Sequence, residues 1–130
     1  MARMNEPRPV WAWLFFPQLA VIISASLLAT TGHFPVALLQ RPPLDKVGHL
    51  VLYGGLSFFG VALVGRARRC PFVTCLLVAA TLEELSQRAL PRRTFDLGDL
   101  AMNLLGISVF AAAAATLAAR GRRSHRRGSA

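Results

Sequence analysis

The sequence predicts an all-α integral membrane bundle of four transmembrane helices with both termini cytoplasmic, on three observations. The 130 residues are 54% hydrophobic, which is high for a soluble domain of this size. Four apolar stretches take up most of the chain and leave no room for a separate soluble domain. Each is near the ~20 residues that a helix needs to cross ~30 Å of hydrocarbon. Lipid offers no partners to backbone N–H and C=O groups, so segments of this kind are expected to be helical. The third observation is the sorting of charge. Arg3, Arg8, Arg66, Arg68, Arg69, Arg120, Arg122, Arg123, Arg126 and Arg127 fall on one side of such a bundle, and Arg41, Lys46, Arg88, Arg92 and Arg93 on the other. Ten against five places the first side in the cytoplasm. The same sorting accounts for the net charge of +9, so basic tails need no nucleic acid to explain them.

The first helix is expected over about 10–31. Basic residues before an apolar run also describe a secretory signal peptide, but this run is longer than a signal's apolar region and no A-x-A cleavage site follows. Trp11 and Trp13 stand where interfacial aromatics belong, and Pro17 is a place for a kink that membrane helices tolerate. A loop containing Gly32, Pro35, Pro42 and Pro43 leads to the second helix, about 44–64. The Arg66–Arg69 loop separates it from the third, about 71–90, which Pro71 opens as a first-turn proline. The loop 91–94 precedes the fourth helix, about 95–119. Residues 1–119 then form one domain, and the basic tail 120–130 is expected to be a disordered cytoplasmic extension. Cys70 and Cys75 match neither a CxxC pair nor a zinc spacing and read as small apolar residues. No internal repeat of the transporter kind is visible.

The chain has six acidic residues, and all but Glu6 fall at the outer ends of helices two, three and four. Asp45, His49 and Tyr53 are spaced i, i+4, i+8 and Lys46 lies beside them. Glu83 and Glu84 are one turn before Gln87. Asp96, Asp99, Asn103 and Gly106 follow at steps of three, four and three, again one helical stripe. At ~1.5 Å per residue, the three stripes reach similar depths. Ionisable groups within membrane helices cost roughly 2.5–3.5 kcal/mol each and face partners or a watery cavity, so a funnel open to the outside is expected.

Three chemistries suit such a group. Carboxylates with a histidine can hold a divalent cation, which is possible here but not required. Crowded carboxylates raise one another's pKa and supply an acid and a base. Alternatively, Lys46, Arg92 and Arg93 pair with the acids and lock the helix ends together.

These same residues resemble the VanZ-like family of membrane proteins. DKVGHLVLYGGLSFFG, residues 45–60, is similar to its opening motif, and EELSQRALPRRTFDLGDLAMNLLG, residues 83–106, to its second. The matching positions are Asp45, Lys46, His49, Tyr53, Glu84, Gln87, Pro91, Arg93, Asp96, Asp99, Asn103 and Gly106. Arg92 replaces a glycine frequent in the family, and Arg88, Ala89 and Leu90 stand where a second aromatic is common. The resemblance implies a cell-envelope protein. The family's namesake is linked to resistance to the glycopeptide teicoplanin, and no reaction is attached to the family as a whole.

The expected function is therefore binding of, or action on, a lipid-linked or cell-surface molecule at the outer leaflet of the cell membrane. Glu84 and His49 are the candidate acid or base, with Asp99 and Asn103 orienting them. Asp45, Lys46, Tyr53, Glu83, Gln87, Arg92, Arg93, Asp96 and Asn103 are candidates for substrate binding, with Arg92 and Arg93 suited to phosphate or carboxylate. A non-enzymatic scaffold of an envelope complex is the alternative. A transporter or proton pathway ranks last, because the cytoplasmic halves carry no polar stripe.

Overall fold

A computed structural model describes residues 9–31, 41, 43–90 and 95–127. Among them every regular element is helical: α1 Pro9–Thr31, α2 Leu44–Leu63, α3 Arg69–Ser86 and α4 Leu97–Arg127. Short 3-10 turns, Arg66–Arg68 and Gln87–Ala89, flank α3. The expected four helices are thus present, with altered ends. α3 starts two residues early and tightens into a 3-10 turn at Gln87, where Gln87 N–H is shared between the carbonyls of Glu84 and Leu85. α4 starts at Leu97 because Asp96 lies ahead of the helix, its carbonyl accepting from Asp99 and Leu100 N–H.

The far end of α4 corrects the sequence reading. Residues 120–127, expected to be disordered tail, continue the helix to Arg127. At ~1.5 Å per residue, 31 residues make a rod of roughly 46 Å, longer than the ~30 Å hydrocarbon layer.

Val10–Thr31, Leu44–Leu63 and Leu97–Gly121 are long and apolar enough to cross a membrane. α3 is the exception, since its 18 residues include Arg69, Glu83 and Glu84. Pro17 lies inside α1 without ending it.

The four helices alternate in direction. At one end Ser26 of α1 meets Glu83 of α3, and Lys46 of α2 meets Asp96 and Asp99 at the start of α4. At the other, Trp11 stacks on Phe59, with centroids 6.2 Å apart, and Phe15 packs edge-on to Phe72. The most extensive pairing is α2 with α4. Between the ends, Tyr53, Leu56, Ala80, Ile107 and Ile22 form the buried core. Many large apolar side chains face outward instead, Trp13, Phe16, Leu27, Leu82 and Leu117 among them, as expected where the surrounding medium is lipid.

α1 attaches to α2 partly by a polar contact. Gln18 Nε2 donates to the Leu52 carbonyl at 2.7 Å, and its amide lies against Gly55, where the lack of a Cβ makes room. Cys70 and Cys75 are unpaired and exposed rather than packed inward.

Candidate functional site

The polar stripes converge at one end of the bundle as two linked groups. In the first, α2 faces the start of α4. Lys46 Nζ donates to Asp96 Oδ2 at 3.0 Å and to Asp99 Oδ1 at 2.9 Å. One turn along α2, His49 Nδ1 lies 3.0 Å from Asn103 Oδ1. Its Nε2 stands 3.7 Å from both Asp45 Oδ1 and Asp99 Oδ2. Asp99 thus divides its two oxygens between Lys46 and His49. Asn103 is fully buried, and its Nδ2 has no hydrogen-bond partner among the described residues.

The second group gathers around the end of α3. Glu84 has no exposed surface and Gln87 almost none. Gln87 Nε2 donates to Glu84 Oε2 at 3.1 Å and to Glu83 Oε1 at 3.3 Å. Glu83 also accepts from Ser26 Oγ at 3.1 Å and from the Tyr53 hydroxyl at 3.4 Å. The Asp96 backbone N–H donates to Glu84 Oε1 at 3.1 Å and joins the two groups.

Asp96 is the residue of this site that lies ahead of the helices. Its carboxyl is held below the usual aspartate value, chiefly by the Lys46 ammonium and then by the Gly98 N–H, which donates to Oδ1 at 2.6 Å. A side chain that accepts from the second backbone N–H following it is the local cap that Asp favours before a helix.

The structure brings together Asp45, Lys46, His49, Asp96, Asp99 and Asn103 as expected, and likewise Glu83, Glu84 and Gln87. Tyr53 is redistributed. The spacing i, i+4, i+8 puts it on the face of Asp45 and His49, yet its hydroxyl reaches Glu83 on α3. Each step of four advances about 40° round a 3.6-residue helix, so Tyr53 lies roughly 80° from Asp45 and meets a different neighbour. Arg92 and Arg93 lie outside the described residues. Arg88, next in the chain to Gln87, holds its guanidinium 4.2 Å from the Phe95 ring centroid, in cation–π range.

Sequence reasoning missed Ser26. In an apolar helix a serine has no periodic signature, and Thr30 and Thr81 each satisfy their hydroxyl on their own helix four residues back. Only packing shows that the Ser26 hydroxyl crosses to another helix.

Three side chains offer donor atoms for a cation: Asp45, His49 and Asp99, with one ligand atom each, all within 4.8 Å of one another. The site as a whole can accept a proton, hold a cation or bind an anionic group through Lys46. No family model, curated protein or solved structure matches this chain.

Proposed function

We propose that this is a VanZ-like protein of the cell membrane. In this reading all four helices cross the bilayer, α3 with its acidic end tucked between the other three, and both termini are cytoplasmic. The polar site opens on the extracytoplasmic face, where it binds, or acts chemically on, a lipid-linked or cell-envelope molecule.

The observation that carries the reading is Glu84. A carboxyl with no exposed surface, among helices whose outer faces are apolar, is held by Gln87 and by the Asp96 N–H. Intramembrane ionisable groups of this kind are costly and belong to ligand or ion sites far more than to plain packing. The charge pattern supports this side: the Arg66–Arg69 segment lies at the opposite end from Lys46 and Asp99, where the positive-inside rule favours a cytoplasmic loop.

The ligand class follows from the same groups. Lys46, with Arg92 and Arg93 a few residues before Asp96 in the sequence, suits a phosphate or carboxylate headgroup. Glu84 and His49 are the groups placed to move protons, with Asp99 and Asn103 orienting His49.

The test is mass spectrometry of the lipids retained by the purified protein, compared with a Glu84→Gln variant that inserts normally. A specific envelope lipid enriched in the wild type and lost in the variant supports the reading. Identical lipid profiles overturn it. Teicoplanin susceptibility of cells carrying each form is the matching phenotype. If Glu84→Gln and Asp99→Asn variants fold and keep full phenotype, the site is not functional.

A further inference from the structure

Asp45, His49 and Asp99 bring unshared electron pairs together between α2 and the first turns of α4. Asn103 Oδ1 stands 3.0 Å from His49 Nδ1. An amide oxygen only accepts, so with this amide orientation Nδ1 carries the ring proton, and Nε2 of the neutral imidazole presents a lone pair. That lone pair meets Asp45 Oδ1 and Asp99 Oδ2, each at 3.7 Å. Three electron-rich atoms converging in this way repel one another unless a proton or a metal ion lies between them.

The spacing fits a metal ion. Two donors each about 2.1 Å from a common centre and 3.7 Å apart subtend roughly 120°, within the range of a tetrahedral or trigonal site. Asp99 is held for this by its other oxygen, which takes the Lys46 ammonium at 2.9 Å. His49 is held by Asn103, the kind of outer partner that fixes the tautomer of a ligating histidine. The charge also favours a cation, because the carboxylates of Asp45, Asp96 and Asp99 gather about His49 and the one ammonium of Lys46.

A second observation is independent of the carboxylates. Asn103 has no exposed surface, and its Nδ2 has no partner among the described residues. Turning the amide over merely transfers the vacancy to its oxygen. A fully buried amide with one terminus unsatisfied calls for a further polar atom beside His49.

We propose that Asp45 Oδ1, His49 Nε2 and Asp99 Oδ2 bind one divalent transition-metal ion. One imidazole with two carboxylates suits Zn²⁺ or Mn²⁺ better than Ca²⁺ or Mg²⁺, which favour all-oxygen shells. Three protein ligands leave a position open, as in metal sites that take a substrate. That the open position receives an anionic headgroup oxygen rests on the function proposed above; the binding of the ion does not, and with both His49 ring nitrogens engaged it leaves Glu84 as the proton-moving group.

The test titrates the untagged full chain, in detergent and stripped with chelator, with Zn²⁺ and with Mn²⁺ in the absence of any envelope lipid. The expected result is about one ion per chain for at least one of them, with at least tenfold weaker binding in Asp45→Asn and His49→Gln and unchanged helix content. Asp45→Asn removes a ligand while leaving the Lys46 bridges intact. If both variants fail to fold, electron spin-echo spectroscopy of the Mn²⁺-loaded wild type decides, through an imidazole nitrogen coupling. No saturable binding of either ion by the wild type, equal binding by wild type and folded variants, or no nitrogen coupling overturns the inference. So does nitrogen NMR showing a proton on His49 Nε2 in the metal-treated protein. Loss of lipid selectivity with ion binding intact would overturn the proposed function alone, and lipid selectivity without ion binding would overturn only the metal site.

Discussion

Gly106 of α4 lies directly against the backbone of α2: a Cβ added there would stand 2.5 Å from the Leu50 carbonyl oxygen and 3.2 Å from the Gly54 nitrogen. The lack of a side chain lets the two helices approach closely, as small residues do in membrane bundles. The contact also sets the register of the site. One turn toward the start of α4, Asn103 meets His49, and a further turn brings Asp99 to Lys46. On the other side of Gly106, Ser57 Oγ donates to the Ile107 carbonyl at 2.9 Å.

Gly106→Ala is therefore expected to destabilise the α2–α4 pair by about 1–3 kcal/mol, the usual cost of overpacking where backbone must move. Gly48→Ala is the control, since a Cβ there meets nothing within 4 Å, and removing a helical glycine stabilises by roughly 0.5–1 kcal/mol. Unfolding in mixed detergent micelles measures both. Equal stability of the two variants would contradict the register argument.

Glu84 gives a second expectation. Glu84→Ala leaves the buried Gln87 amide short of one acceptor and the Asp96 N–H without its partner. An orphaned buried donor costs about 1–3 kcal/mol, so the variant should unfold at correspondingly lower denaturant. Glu84→Gln retains a carbonyl oxygen that can accept one of these bonds and should lose less. A smaller loss for alanine than for glutamine would show that the network does not hold the end of α3.

Much of this site is legible in the sequence because helix periodicity is rigid over one or two turns. Lys46, His49, Asp99 and Asn103 lie within that range of their helix starts, and they meet as their spacing requires. Tyr53 lies two turns from Asp45, far enough for the drift of the helix to hand it to Glu83. The ends of α3 and α4 are less legible. The shared carbonyl acceptors at Gln87 and the helical Arg120–Arg127 segment depend on local hydrogen bonding that hydropathy does not report. Gln18 was invisible for another reason: its value lies in a gap opposite Gly55, and a gap between helices leaves no trace in either helix's own pattern.

The Lys46–Asp96 bridge has a pH signature with a definite sign. The Asp96 carboxyl is held below its ordinary value in the folded protein. Its contribution is therefore complete above the ordinary aspartate range near 3.8, and fades as the pH falls through the lower, folded value. Stability should be insensitive to this pair at neutral pH and drop in the acid range. Both side chains are substantially exposed, so the effect is small and weakens with salt. Lys46→Met should flatten this part of the acid limb. Unfolding curves from pH 6 to pH 3, at low and high salt, provide the measurement, and an acid limb unchanged in Lys46→Met would rule the pair out as its source.

The sidedness of the bundle can be read from its own cysteines. Cys70 is exposed at the start of α3, beside the arginines of the Arg66–Arg68 turn. Thirteen residues separate it from Glu83, about 20 Å along the helix, so it lies near the end of the bundle opposite the polar site. If α3 crosses the membrane with its acidic end outward, a membrane-impermeant maleimide should label Cys70 in inverted vesicles and not in intact cells. Cys75, more than a turn deeper and also exposed from the protein, would face lipid and should react slowly from either side, so a Cys75→Ser background isolates Cys70. A cysteine replacing Arg41, just before α2, should show the reverse pattern in a background lacking both native cysteines. Labelling of Cys70 and of Arg41→Cys from the same side would mean that α2 does not cross the membrane. Labelling of Cys70 from outside and of Arg41→Cys from inside would invert the bundle and put the site in the cytoplasm.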